Sequence, residues 1–238
     1  DGDTPDITGI TATDGAYGVG ESLDITVTFD SAVDVTGTPR ITLSNAQVVD
    51  YSSGTGNAAL VFTYTVAAGH TESSDLEVSS IAANGGNIED AADNDFSTTM
   101  TAGDLGSVVI DGDTPDITGC DSAADGTFGI GGVVTITCTF DSAVDVTGTP
   151  QVTLSNSQVV DYASGTGSAN LVFTYTVAEG HTDSSDLAVS SIAANGGNIE
   201  DAADNDFSTT ITAGDLGSVV IDGDTPDITG CDSAADDT

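Results

Sequence analysis

The chain has almost no positive charge. Among 238 residues Arg40 is the single Lys or Arg, set against 39 Asp plus Glu, for a formal net charge of −38. A polyanion of this kind repels DNA, RNA and anionic lipid, so no nucleic-acid partner is expected. Trp is absent and Met occurs once. No run of 18 apolar residues exists, which argues against a membrane-spanning helix in this segment. No ten-residue amphipathic pattern is present, which disfavours a parallel α/β architecture. The catalytic vocabulary is also thin. There is no Gly-x-Ser-x-Gly elbow and no Ser/His/Asp grouping in a strand-turn-helix setting, so the expectation is a protein that is not an enzyme. Carboxylate pairs suited to glycoside cleavage stay open on sequence alone, because Asp is so common. Asn-x-Ser/Thr sequons are lacking. The sequence opens on Asp1 without a basic and apolar leader, so export is argued from other features.

What remains is rich in Thr, Val, Ser, Gly and Asp, with 38% hydrophobic residues. That mixture favours pleated strands and turns. The main organisational signal is a repeat. The segment Asp-Gly-Asp-Thr-Pro-Asp-Ile-Thr-Gly occurs at Asp1–Gly9, Asp111–Gly119 and Asp222–Gly230. Between 29–110 and 140–221, 72 of 82 aligned positions are identical. The differences are mild, such as Ile41 against Val152 and Glu72 against Asp183. Two modules are therefore expected, 1–110 and 111–221. Residues 222–238 then repeat the first strand of a third module, either as a stub of a longer array or as a donor strand.

Within a module, Leu23, Ile25, Val27 and Phe29 alternate with Asp24, Thr26 and Thr28, as do Leu60, Phe62, Tyr64 and Val66 with their neighbours. Period-two alternation buries one face of a strand and wets the other. Further strands are expected at Arg40–Leu43, Val48–Tyr51, Leu76–Ile81 and Leu105–Ile110, with at most one helical turn at Ala91–Asp95. The fold class read from this pattern is all-β, a β-sandwich of about seven strands per module.

The cysteines carry a paired argument. Cys120 stands where the first copy has Ile10, and Cys138 where it has Val27. Both apolar positions change to cysteine together, which suggests that they touch. A bridge between neighbouring strands or facing sheets is one reading; two buried free thiols is the other. A disulfide implies an oxidising compartment and so an extracellular location. Cys231 repeats Cys120, and its expected partner would lie eleven residues past Thr238. Without CxxC or suitably spaced His, zinc is not expected.

The acids group in two places. Asp111, Asp113 and Asp116, repeated as Asp222, Asp224 and Asp227, lie in the linker that leaves each module. Glu89, Asp90, Asp93 and Asp95, repeated as Glu200, Asp201, Asp204 and Asp206, lie in a turn with Asn94 or Asn205. Hard Ca²⁺ takes six to eight oxygens, so a structural Ca²⁺ ion is one expectation and a solvated acidic surface the other. His70 and His181 read as turn residues. Tyr17, Phe96 and their counterparts are the aromatic candidates for an adhesive loop surface.

Several runs together resemble a known family: Val-Thr-Gly-Thr-Pro-x-(Ile/Val)-Thr-Leu, Tyr-x-Ser-Gly-Thr-Gly, Leu-Val-Phe-Thr-Tyr-Thr-Val-Ala and Asn-Gly-Gly-Asn-Ile-Glu-Asp-Ala-Ala-x-Asn. They resemble the bacterial immunoglobulin-like tandem repeats of giant surface adhesins and of cyanobacterial cell-surface proteins linked to swimming motility. The resemblance implies tandem immunoglobulin-like sandwiches, secreted to the cell surface and often bathed in Ca²⁺. It also implies a stalk or spacer whose partners are cations and adjacent copies of the same module. Two departures stand out: histidine at 70 and 181, where the family more often has an acidic turn, and the Cys120/Cys138 pair. The alternative function is a subunit of an extracellular filament or sheath, joined by strand addition through Asp227, Ile228, Thr229, Gly230 and Cys231. A carbohydrate or protein adhesion module is a third reading.

Overall fold

The computed structural model describes residues 3–97, 100, 103–208, 211 and 214–231; among these there is no helix. Two compact units emerge, Asp1–Thr114 with Ala202–Asn205, and Pro115–Asp201 with Asp206–Thr238.

The strands of the first unit are β1 (Ile7–Thr11), β2 (Gly15–Tyr17), β3 (Ser22–Thr36), β4 (Arg40–Leu43), β5 (Val48–Ser53), β6 (Asn57–Thr65), β7 (Glu77–Ala82), β8 (Asn87–Glu89), β9 (Gly103–Asp104) and β10 (Val108–Ile110). They run in the order β1-β3-β6-β5-β4-β7-β9, with β8 on the far end of β3. Two strands change partners. β3 pairs with β6 over Ser22–Thr28 and then, beyond a register shift, with β8 over Asp34–Thr36. β5 pairs with β4 over Val48–Asp50 and with β6 at Tyr51 and Ser53. The path thereby folds into two faces, β1-β3-β6 and β4-β7-β9, joined through β5. Leu23, Ile25, Val27 and Phe29 from β3 meet Leu60, Phe62 and Tyr64 from β6 and Ile41, Leu43, Val78 and Ile81 from the other face in one core. Alternation is the cause: Leu23, Ile25, Val27 and Phe29 of β3 are buried while Asp24 between them is exposed. Each fully buried Leu, Ile or Phe contributes about 1.5–3 kcal/mol against chain entropy.

The second unit repeats this with β11 (Ile117–Ser122), β12 (Gly126–Phe128), β13 (Val133–Thr147), β14 (Gln151–Leu154), β15 (Val159–Ser164), β16 (Ser168–Thr176), β17 (Val189–Ala193), β18 (Asn198–Glu200) and β19 (Val219–Ile221). The order is β11-β13-β16-β15-β14-β17, with β18 on β13. In each unit the last strand pairs in parallel with the second, β10 with β2 and β19 with β12.

The all-β sandwich reading therefore holds, with differences in detail. Short strands raise the tally to ten and nine among the described residues, against about seven expected. They are two or three residues long, below the length at which alternation can be read. The strand expected over Leu105–Ile110 is confined to Val108–Ile110, since Gly106 takes a left-handed φ of 84°. Ala91–Asp95 is no helical turn. Asp93 sits at φ 60° and donates its N–H to the Asp90 carbonyl, closing a tight turn instead. In the segment read as a stub or a donor strand, 227–231 forms no strand, and Ile228 is 86% exposed.

Candidate functional site

The bridge between Cys120 and Cys138 is present, between neighbouring strands. The two residues face each other in the β11–β13 register, with Cα atoms 4.0 Å apart. Ile10 and Val27 face each other in the same register of β1 and β3, so the apolar pair of one unit is the covalent pair of the other. Cys231 is an exposed free thiol.

The linker that leaves the first unit is held by its backbone. Asp111 donates its N–H to Tyr17 O at 3.1 Å, extending the β10–β2 pairing by one residue. Gly69 N–H reaches Gly112 O at 2.9 Å. Gly112 lies so close to the 67–70 turn that a Cβ there would sit 2.5 Å from His70 O and 2.9 Å from His70 N; only glycine fits without displacement. Asp113 N–H is accepted by the Asp111 carboxylate at 3.1 Å. Glu72, which sequence reading noted only as a repeat difference, joins these acids. Its hydrogen bond with the Asp113 carboxyl, then the charges of Asp111 and Asp113, hold its carboxyl above the usual range. Asp116 belongs to the second unit, where its N–H goes to the Asp141 carboxylate at 2.9 Å. The later linker repeats the pattern: Asp222 N–H to Phe128 O at 3.0 Å, Gly180 N–H to Gly223 O at 3.0 Å, and Asp224 N–H to the Asp222 carboxylate at 3.2 Å. There Asp183, in place of Glu72, accepts Gly223 N–H at 2.7 Å. Asp227 is exposed.

In the acidic turn, Asp90 spends its carboxylate on the chain itself. Oδ1 accepts Ala92 N–H at 2.8 Å and Asn94 N–H at 3.0 Å, and Oδ2 accepts the Asn94 amide at 2.9 Å. These bonds, the Asn94 side chain first, lower its carboxyl below the usual range. Glu89 accepts from Asn87 Nδ2 at 3.1 Å and bridges by backbone to Asp95, as Glu200 does to Asp206. Asp204 repeats the left-handed φ of Asp93, and Asp201 is buried. Among the described residues no set of three or more His, Cys, Asp or Glu is arranged to hold a metal ion.

The histidines are more than turn residues. His70 Nδ1 accepts Ala67 N–H at 3.0 Å and lies 3.0 Å from Tyr64 Oη, with the two rings stacked 5.7 Å apart. A backbone N–H can only donate, so Nδ1 carries the lone pair and Nε2 the proton. Buried Asn45 donates to Tyr64 Oη at 3.4 Å and to Thr71 O at 3.1 Å, tying the β4–β5 turn to the 67–71 segment. His181, Tyr175, Asn156 and Ala178 repeat the arrangement. The signal was in the sequence, since Asn, Tyr and His are the same in both copies, but nothing in the spacing shows that they meet.

Phe96 and Phe207 are not adhesive aromatics. Each is 8% exposed and packs edge-on against Phe29 or Phe140 in the core. Tyr17 is half-buried and donates its hydroxyl to Thr13 O.

No protein-family model matches this sequence, and no curated protein matches it either.

Proposed function

We propose that this chain is a structural length of an extracellular surface fibre, in which near-identical sandwiches space and stiffen a stalk rather than carry out chemistry. The observation that carries this reading is what differs between the copies. The ten substitutions over 82 aligned positions leave both cores, both Asn–Tyr–His networks and both linker anchors intact. Buried polar side chains common to both copies, Asn45 and Asn156, are spent on internal bonds. What two such units repeat is a mechanical part. The anchored linkers support a stiff joint, because Gly112 and Gly223 are pinned to the turns before them within two residues of the last strand. A secreted location is supported by the bridge, and the resemblance to bacterial immunoglobulin-like surface repeats points the same way. Ca²⁺ belongs to this reading as a stiffening ion drawn by the negative charge of the linker acids Glu72, Asp111 and Asp113, whose carboxyl groups as they stand do not form a metal site. The test is small-angle X-ray scattering at fixed ionic strength with Ca²⁺ and with EDTA. A distance distribution with a discrete inter-unit peak supports the spacer. A featureless distribution in both conditions sinks it, and identical profiles remove Ca²⁺ from it.

A second reading, a filament subunit joined through 227–231, is favoured by one contrast. Ile228 is 86% exposed, whereas Ile117 in the same nonapeptide is 3% exposed within β11. Both units already hold a first strand of their own, so an acceptor would have to release one. β1 lacks the covalent tie of β11 and is the strand that would yield. Loss of polymerisation on deleting 222–238 is the discriminating result.

A further inference from the structure

The dipeptide Asn-Gly occurs at Asn84–Gly85 and at Asn195–Gly196, matching positions of the two copies. Asparagine is a labile residue, and this is the pairing in which it is chemically weakest. Glycine has no Cβ, so its backbone nitrogen can approach the preceding side-chain carbonyl unhindered, and its own dihedrals are free to follow. Both pairs are exposed, and a Cβ on Gly85 or Gly196 would meet nothing within 4 Å.

The fold puts each pair at the centre of a tight turn. Asn84 and Gly85 take left-handed φ values of 52° and 79°, and Gly86 N–H donates to Ala83 O at 2.9 Å. Two successive positive φ angles define a type I′ turn, which Asn and Gly tolerate best. Asn84 Nδ2 donates to Thr38 O at 3.0 Å, tying the turn to the segment between β3 and β4. Asn195 and Gly196 repeat the conformation at 51° and 79°, with Asn195 Nδ2 on Thr149 O at 3.1 Å. The chain just beyond the turn has no slack. A Cβ on Gly86 would sit 2.0 Å from Thr36 O, and one on Gly197 2.0 Å from Thr147 O. Asn87 then faces Thr36 at the start of β8, and Ile88 enters the core at 2% exposure.

We propose that Asn84 and Asn195 are sites of spontaneous deamidation, with water as the only co-reactant, which the folded turn slows without preventing. The Asn84 amide must first leave Thr38 O. The Gly85 nitrogen gives up its proton to base and attacks Asn84 Cγ. An N–Cγ bond forms, the Cγ–Nδ2 bond breaks, and Nδ2 takes a proton from solvent and departs as ammonia. Water then opens the cyclic imide. Attack at Cγ leaves aspartate; attack at the main-chain carbonyl leaves isoaspartate, with one extra carbon in the backbone. Either product adds a negative charge and turns the donor facing Thr38 O into an acceptor. Isoaspartate also lengthens the chain where Gly86 is pressed against Thr36, so β8 is displaced from β3. The second unit follows the same course at Asn195, Gly197 and β18. The inference does not depend on the spacer reading, since it rests on the turn alone.

The test is incubation of the chain at mildly alkaline pH, folded and in denaturing urea, followed by digestion with an acid protease and peptide mass analysis. The peptides holding Asn84 and Asn195 are expected to gain one mass unit each and to accept a methyl group from an isoaspartyl methyltransferase, while the other eight asparagines stay amides. The reaction is expected to run faster in urea, where the turn and its bond to Thr38 O are gone. The double variant Asn84→Gly, Asn195→Gly, which keeps a residue tolerant of positive φ at both positions, is expected to release no ammonia. In the modified folded chain, separated by its added charge, hydrogen exchange at 87–89 and 198–200 is expected to lose protection. A folded chain still amidated at 84 and 195 after the unfolded chain has fully reacted overturns the proposal, as does earlier reaction at another asparagine. Equal rates with and without urea overturn the restraining role of the turn, and unchanged protection in the isoaspartate form overturns the displacement of β8.

Discussion

Replacing Cys120 by Ile and Cys138 by Val would give the second unit the apolar pair that the first unit already carries at Ile10 and Val27. The change preserves burial and removes only the covalent tie, which Cys→Ser variants would not do. The bridge spans a sequence separation of 18. Closing a loop of that size restricts the unfolded chain by about 3 kcal/mol in the chain-entropy picture. For a module near 110 residues, each kcal/mol moves the midpoint by about 4 °C, so the second unit should lose on the order of 12 °C. Differential scanning calorimetry is the assay, because the two sandwiches have separate cores and the first serves as an internal standard. One transition should move down and the other stay. Reduction of the wild-type chain should reproduce the shift. If neither treatment moves a transition, the tie contributes nothing and the unfolded-state argument is wrong. If both transitions move together, the units do not unfold independently.

Three further outcomes follow from the linkers and turns. Gly112→Ala should destabilise the first unit by about 1–3 kcal/mol in urea titrations, the usual cost of an overpacked site; Gly9→Ala, with nothing within 4 Å, is the control. Glu72→Gln should stabilise the chain at neutral pH, because a raised carboxyl binds its proton more tightly in the folded state. Its contribution is fullest below the unfolded value and is lost as pH rises through the folded one, so variant and wild type should converge below about pH 4. Asp90→Ala should lower stability at neutral pH and lose its effect in acid. A lowered carboxyl contributes above its unfolded value and stops contributing as pH falls through the folded one. Melting curves across pH 2–8 check both signs.

The core was legible because alternation is a local property. Leu23 to Phe29 and Leu60 to Val66 declare their buried faces within seven residues each, and the paired replacement of Ile10 and Val27 by cysteine pointed to a contact that the structure places between neighbouring strands. The elements that escaped are those whose cause is distant. β8 exists because Asn87–Glu89 finds the far half of β3, and β10 because Val108–Ile110 finds β2 across the module. Glu72 enters the linker cluster through the chain reversal at 67–71, and Phe96 leaves the surface because it follows Ile88 into the core, donating its N–H to Ile88 O at 2.8 Å. Composition made Phe96 look like a loop aromatic, and packing against Phe29 made it a core residue. Sequence grouped the acids by proximity along the chain, whereas the fold sorts them by which backbone N–H they reach.

That sorting bears on what the negative charge is for. The Asp30 carboxylate accepts Asp6 N–H, Asp14 accepts Ser107 N–H, Asp104 accepts Gly106 N–H, and Asp125 accepts Ser218 N–H. Several of these bonds join segments more than twenty residues apart, closing the sandwich edges where ladder bonds run out. A serine could shape some of these turns, but a carboxylate makes the stronger, charge-assisted bond, and in a salt-screened medium its self-repulsion costs little. Lysine or arginine partners are not needed for this work. Arg40 pairs with Asp50 at 2.5 Å on the exposed surface, yet Gln151 stands in its place in the second unit and donates to Asp161 at 2.7 Å. The sole cation of the chain is thus replaced by a neutral amide with the bond retained, as expected where an exposed ion pair is worth little. Much of the acidity is therefore a by-product of building turns from aspartate. A fold built this way depends on the screening power of its medium, which ties the chemistry of the loops to the salinity in which the protein works.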